Sequence, residues 1–392
     1  MFVREMHGHH PGMDTPPIFL TGATGFVGME LLARYLERTD RTVYALVRGS
    51  DDADAQHRLD MTIARVLPDP SSSAGRAVAV RGDVMRPGLG ISPGTRAALA
   101  GEVGEIVHAA ASVSFGLPLP ESRRINVRGT EHILQFAQTV DQLRNLSYIS
   151  TAYVAGDHRG VFAEDELDTG QRFRNPYEQS KFEAEQRVRA HRELLPIQIF
   201  RPSIVVGEAD TGWTPAFNVI YWPLKAFARG AYKAIPARRS APVDVVPVSY
   251  VADAIFELSS GGEPGMTYAL AAGKRATSLS ELLELSADYF GRRKPHVIPP
   301  SLYRKLAHPV LLRRADDRRR KALEASEVFF PYFEMRVQYD TRSADAALLG
   351  TGVTVPPLRD YFGRLMDYAV AADWGSAEPE PQRGAPVPLT AA

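Results

Sequence analysis

A chain of 392 residues is long enough to bury one large core and carry an appended lobe. Lys plus Arg and Asp plus Glu each total 46, so the formal net charge is zero and no basic footprint for nucleic acid is expected. The absence of cysteine excludes disulfides, thiolate metal sites and a cysteine nucleophile.

The first 16 residues mix charges, prolines and three histidines (His7, His9, His10) without an apolar run of signal-peptide length. They are expected to form a disordered tail rather than a metal tract, and no metal site is expected. No stretch approaches the roughly 18 to 20 apolar residues of a membrane span, so a cytoplasmic enzyme is the expectation. Ile18–Leu20 is a short apolar run entering TGATGFVG, and MELLARYLERT beyond it has helical spacing. TVYALV is a second predicted strand ending at Arg48. A helical stretch then runs to Leu67, and AVAVRGDV, EIVHAAA and LSYISTAYV follow as further strands. NVRGTEHILQFAQTV reads as a helix, as does the segment from Tyr177 to Arg192, and IQIFRPSIVVG is the sixth strand. Alternation of this kind predicts an α/β fold: a Rossmann-type doubly wound parallel sheet with right-handed crossovers. From about Glu208 the alternation breaks down. VDVVPVSYVADAIFEL returns as strand then helix, and beyond Ser278 only short helical patterns are expected. The expected division is a dinucleotide-binding domain over 17–277, with part of a substrate lobe inserted after about 208. A smaller, mainly helical C-terminal cap follows over 278–374, and then a disordered tail over 375–392.

Thr21-Gly22-Ala23-Thr24-Gly25-Phe26-Val27-Gly28 lies between a strand and a helix, where a pyrophosphate can meet a helix N-terminus. Gly22 permits the tight turn, Gly25 the approach of backbone to phosphate, and Gly28 the close packing of helix on strand. At the end of the second strand an acid would hold a ribose 2′-hydroxyl, whereas an arginine suits a 2′-phosphate. Arg48 occupies that position, and Arg58 is placed to join it, which favours NADPH. Asp51 and Asp52 are the competing ribose ligands. Ala109, Ala110 and Ala111 end the fourth strand with side chains small enough for a cofactor to lie along them, or merely for close packing.

Tyr177 and Lys181 are four apart on a predicted helix and therefore share a face. Lys181 is expected to lower the phenol's pKa, so that Tyr177 can protonate a developing alkoxide near neutral pH. Ser150 and Thr151 end the fifth strand, and either hydroxyl could orient a carbonyl. Asn126 reads either as a helix-terminus bond or as a proton-relay support.

The GxxGxxG spacing with its preceding Thr, together with YxxxK, resembles the extended branch of the short-chain dehydrogenase/reductase family. Several segments narrow the likeness: VYALVRGS, EIVHAAASVSF, YISTAYVAG, RPSIVVGEADTGW and VDVVPVSYVADAI are similar to thioester reductases. That subgroup includes fatty acyl-CoA reductases and the terminal reductase domains of carboxylic acid reductases and nonribosomal peptide synthetases. The resemblance covers about residues 17 to 290 and, more weakly, a C-terminal helical segment. It implies Thr151 as the carbonyl-orienting hydroxyl, with Ser150 the fallback, and Asp83 and Val84 against adenine. It places Pro202, Ser203 and Ile204 beside the nicotinamide, and it implies hydride transfer to an acyl thioester on coenzyme A or a carrier protein. Ser112, Phe115, Trp213 and Phe217 are the candidate substrate-side residues, with ordinary lobe core as the competing reading. Arg313, Arg314, Arg318, Arg319, Arg320 and Lys321 form a basic cluster, read as a solvated helix face ahead of a membrane or carrier contact. Rival readings are a ketone or secondary-alcohol reductase, a sugar-nucleotide epimerase or dehydratase, and a non-catalytic NADPH-binding regulator.

Overall fold

In the computed structural model, which describes residues 15–217, 219–300, 303, 332 and 334–377, strands and helices alternate through the first half of the chain. In order they are β1 (Ile18–Thr21), α1 (Phe26–Arg38), β2 (Val43–Val47), α2 (Asp52–Val66), β3 (Ala77–Arg81) and α3 (Pro93–Glu102). Next come β4 (Glu105–His108), α4 (Leu119–Arg123), a π-helical turn (Arg124–Arg128), α5 (Gly129–Ala137) and β5 (Asn145–Ile149). The half closes with β6 (Arg159–Phe162), α6 (Pro176–Arg189) and β7 (Ile197–Pro202). The lobe adds β8 (Ile204–Val206), α7 (Tyr221–Ala228), β9 (Ala234–Pro236), β10 (Pro242–Val243), β11 (Val245–Pro247) and α8 (Val248–Gly261). It ends with β12 (Thr267–Leu270), β13 (Thr277–Ser278), α9 (Leu279–Phe290), β14 (His296–Ile298), β15 (Arg336–Tyr339), α10 (Arg342–Ala347) and α11 (Leu358–Ala371).

Seven strands form one sheet in the order β12-β7-β5-β4-β1-β2-β3, and every neighbouring pair is parallel. The order reverses between β1 and β4, the place where such a sheet opens a crevice at the carboxyl ends of its strands. The expected doubly wound α/β sheet is therefore present. β1 and β4 are buried throughout, as strands covered by helices on both faces must be. α1 and α8 pack together on one face. There Arg34 is buried, donating to Glu30 at 2.5 Å and to Asp253 of α8 at 2.9 Å.

Three details refine the sequence expectation. VDVVPV does not extend the main sheet: β11 pairs with β8 in a separate two-stranded ribbon. The seventh sheet strand is β12, within MTYALAAG, which the sequence did not single out. Beyond Ser278, β14 pairs with β9 and β15 with β6. Strands of three or four residues carry too few alternations for periodicity to register.

β15 and α10 reach back to the sheet. The buried Glu164 carboxylate, just past β6, accepts the Ala269 N–H of β12 at 2.9 Å. It also accepts those of Ser343 and Ala344 in the first turn of α10 at 2.6 and 3.1 Å. Among the described residues no helix is long and apolar enough to cross a membrane. The N-terminal histidines, the basic cluster from Arg313 to Lys321 and the tail beyond 377 lie outside the described residues.

Candidate active site

The glycine-rich turn is built by steric necessity. Gly22 has φ +78°, and a Cβ there would come within 2.6 Å of the Ala110 nitrogen and 2.7 Å of the Ala109 carbonyl carbon. A Cβ on Gly28 would lie 2.0 Å from the Gly22 oxygen, so helix and turn meet backbone to backbone. Gly25 is less crowded, with the Gly22 oxygen at 3.2 Å from such a Cβ. It is the extended N-cap of α1 and offers no side chain to the helix amides. Thr24, Phe26 and Val27 sit at this turn, with Thr24 and Gly25 exposed and Phe26 and Val27 half-buried. The amides at the start of α1 therefore face outward uncapped, at a turn too narrow for side chains. That is the requirement for a pyrophosphate, so the residues fit a dinucleotide.

At the end of β2, Arg48 and Arg58 are both exposed, and Arg58 donates to the Arg48 carbonyl at 2.8 Å, which brings the two guanidinium-bearing residues together. The competing acids are engaged otherwise. Asp51 caps α2 by accepting from the Asp54 N–H at 2.8 Å, and Asp52 pairs with Arg81 at 2.8 Å. Asp83 turns its carboxylate onto the Met85 N–H at 2.9 Å, beside the buried Val84. Ala109, Ala110 and Ala111 are half-buried between the turn and the catalytic side, and the Ala110 N–H donates to Thr21 Oγ1 at 3.3 Å.

Asn175 caps α6 by accepting from the Glu178 N–H at 3.0 Å, and the helix then carries Tyr177 and Lys181 inward. Thr151 caps the turn after β5, where its hydroxyl accepts the Tyr153 N–H at 3.2 Å, and its side chain hydrogen-bonds Tyr177. Burial pushes the Tyr177 phenol up to about 12, with the Thr151 bond acting the other way and Glu178 adding to the rise. The expected lowering by Lys181 is not what holds here. The buried ammonium donates instead to the Tyr148 hydroxyl at 3.0 Å and the Ile149 carbonyl at 2.8 Å. Burial brings the Lys181 pKa down to about 7, while Glu185 opposes that fall.

Asn126, in the π-helical turn, clamps the approach loop. It accepts the Ser112 N–H at 2.8 Å and donates to the Ser112 carbonyl at 3.1 Å and to Ser180 Oγ at 2.9 Å. Ser150, the fallback hydroxyl, is committed elsewhere: it donates to the buried Glu185 carboxylate at 2.6 Å, which also pairs with Arg201 at 2.6 Å. Pro202 lends its carbonyl to Thr151 at 3.5 Å, and Ser203 is buried beside it.

Phe115 is brought to the site, its ring 5.6 Å from that of Tyr177 and 5.5 Å from that of Tyr332. Tyr332 packs on Tyr153 at 5.1 Å and donates to Glu178 at 2.7 Å. From there an apolar cavity opens, with Tyr153, Tyr332 and Ile204 at this end. Leu224 and Phe227 of α7 and Leu282 and Leu283 of α9 line it further on. Trp213 and Phe217 do not line it. Trp213 is buried in the main core and Phe217 packs on Tyr221 and Tyr368, so both are lobe core. The sequence reasoning missed Tyr148, Tyr153 and Tyr332. The first two had a signal, since each is a phenol in or just past the fully buried fifth strand, where a polar group needs a partner.

The sequence matches the family model described as "Male sterility protein" over residues 20–255. It is 30% identical over 292 residues to an isonitrile lipopeptide synthase of Streptomyces coeruleorubidus, covering 73% of this chain and 20% of that protein. It is 27% identical over 276 residues to a fatty acyl-CoA reductase of Drosophila melanogaster, covering 61% of this chain and 53% of that one. The chain therefore spans well under two thirds of these two relatives. The crystal structure of the terminal R domain from the myxalamid PKS-NRPS biosynthetic pathway superposes with a TM-score of 0.80 at 28% identity, covering 93% of both chains. The narrow glycine turn and these likenesses agree: the chain belongs to the male sterility protein family of NAD-binding reductases, with a fatty acyl-CoA reductase and a terminal R domain among the proteins it resembles.

Proposed function

We propose that this protein reduces an acyl thioester to an aldehyde with NADPH, in a cleft where Tyr177 stands at the mouth of an apolar acyl cavity. The carrying observation is the aromatic path from Tyr177 through Phe115 and Tyr332 to that cavity. A polar reacting end and an apolar tail would each find a matching surface along it. The pair Arg48 and Arg58, with Asp51 and Asp52 occupied, supports the 2′-phosphorylated cofactor.

When bound, NADPH supplies the hydride that reaches the thioester carbonyl carbon. Thr151 and Tyr177 would hold the carbonyl oxygen, and the Tyr177 Oη proton would pass to it as negative charge develops. A phenol that burial keeps protonated well above neutral pH is poised to give a proton rather than to take one. The resulting hemithioacetal breaks its C–S bond, releasing a thiol and an aldehyde. The balance is that thioester, NADPH and one proton give aldehyde, thiol and NADP. A carrier-protein thioester is the favoured form of delivery, given the likeness to a lipopeptide synthase and to a terminal R domain. Coenzyme A is the competing carrier.

The test measures NADPH oxidation with matched acyl-carrier, acyl-CoA and simple ketone substrates. Thioester turnover with aldehyde formation is expected, and Tyr177→Phe should lower kcat by at least about 100-fold while NADPH binding changes less than about threefold. Turnover confined to ketones, or an active Tyr177→Phe variant, overturns the reading.

A further inference from the structure

Behind Lys181 lies a closed run of buried polar groups that the reaction outlined above does not use. Thr21 Oγ1 and His108 Nδ1 are 2.7 Å apart, His108 Nε2 and Thr130 Oγ1 3.1 Å, and Thr130 Oγ1 donates to the Asn126 carbonyl at 2.6 Å. Beside Thr130 stands the Tyr148 phenol, which receives an N–H from Lys181 at 3.0 Å.

Counting hydrogens gives each bond a direction. The single Thr130 proton is spent on Asn126, so its oxygen accepts from His108 Nε2–H. An ammonium can only donate, so the Tyr148 oxygen accepts from Lys181. His108, protonated on Nε2, accepts from the Thr21 hydroxyl at Nδ1, and Thr21 Oγ1 accepts the Ala110 N–H. That count requires a neutral imidazole, and burial beside the Lys181 charge lowers the His108 pKa to about 3. No member of the run is left with a conflicting donor.

We propose that Tyr148 is a positioning residue for the reduction: with the Ile149 carbonyl it takes two of the Lys181 ammonium's hydrogens and leaves the third aimed into the cofactor cleft. The inference rests on the proposed function for its catalytic consequence but not for the lysine's behaviour. Lys181 is faced by Tyr148 and the Ile149 carbonyl from β5, by His108 from β4, and by Tyr177 and Glu185 from its own helix. Of these, only Tyr148 and the Ile149 carbonyl accept from the ammonium directly. Removing the phenol oxygen takes away an acceptor that favours the charged form, so the lysine should deprotonate at lower pH.

The experiment compares wild type, Tyr148→Phe and Thr130→Val by titrating 13C-enriched lysine side chains by NMR and by recording kcat against pH. Tyr148→Phe should move the Lys181 titration to acid by about one pH unit. Its kcat should fall by roughly tenfold at pH 8 and by less than about threefold at pH 6, the scale of one perturbed acid–base partner. Thr130→Val, which spares the phenol but removes the hydroxyl beside it, should shift the titration in the same direction by less, and it serves if the phenylalanine variant does not fold. An unmoved lysine titration, or a loss of kcat uniform across pH, overturns the proposal. If wild type reduces no thioester, the proposed function falls, while the lysine titration still decides the role of Tyr148.

Discussion

The two ends of the candidate cleft are specified in different ways. At the glycine turn the backbone itself is the surface: Gly22 touches the Ala109–Ala110 backbone and Gly28 touches Gly22, so no side chain can be added to either. In the apolar cavity the surface is made of side chains from α7 and α9 with Tyr332 and Met335, which lie far apart in sequence. A site built of backbone tolerates almost no substitution and recognises one chemical group. A site built of apolar side chains can be resized, because volume-conserving changes in apolar surroundings cost little. The difference teaches that the two ends of the cleft can be altered separately.

Three substitutions sharpen or break that contrast. The largest effect is expected at Gly28→Ala, whose methyl would collide with the Gly22 carbonyl. NADPH binding should weaken by roughly 100-fold, where each tenfold corresponds to about 1.4 kcal/mol, as read by fluorescence titration. Binding within threefold of wild type would show that the turn yields and that the contrast is false. Next in size is Leu283→Trp, which fills part of the cavity. It should cost roughly tenfold or more in kcat/KM for a long acyl thioester while sparing a short one, as expected for a misfit in an apolar pocket. Equal losses for both lengths would remove the cavity from acyl recognition. The smallest effect should come from Arg48→Ala, an exposed side chain whose field is screened by salt. Its KM for NADPH should rise by about fivefold to tenfold, with that for NADH unchanged, as one charge-assisted contact allows. Parallel changes for both cofactors would reject the 2′-phosphate assignment.

The same contrast explains what the sequence could disclose. The turn was legible because its demands fall on consecutive residues between one strand and one helix. The Tyr177–Lys181 spacing was legible because α6 is long enough to fix a face. The lysine's partner Tyr148 and the His108 behind it were not, since both read as ordinary members of strands β5 and β4. Their signal was a polar group inside a strand buried on both faces, which has to be matched by something. Trp213 and Phe217 show the converse case. Aromatic residues after Glu208 left substrate wall and ordinary core both open, and only the fold could tell which of them turn inward to core. β12 went unseen because a four-residue strand at the sheet edge has too little alternation to stand out.

Glu164 has a consequence for how the molecule holds together. Its carboxylate gathers amides from the outermost sheet strand and from α10, segments some 70 residues apart in sequence. A buried anion with such donors acts as a rivet: remove either plate and the charge is stranded in a dry place. The segment bearing α10 is thus fastened through the same carboxylate that seals the sheet's edge, so neither has a finished surface without the other.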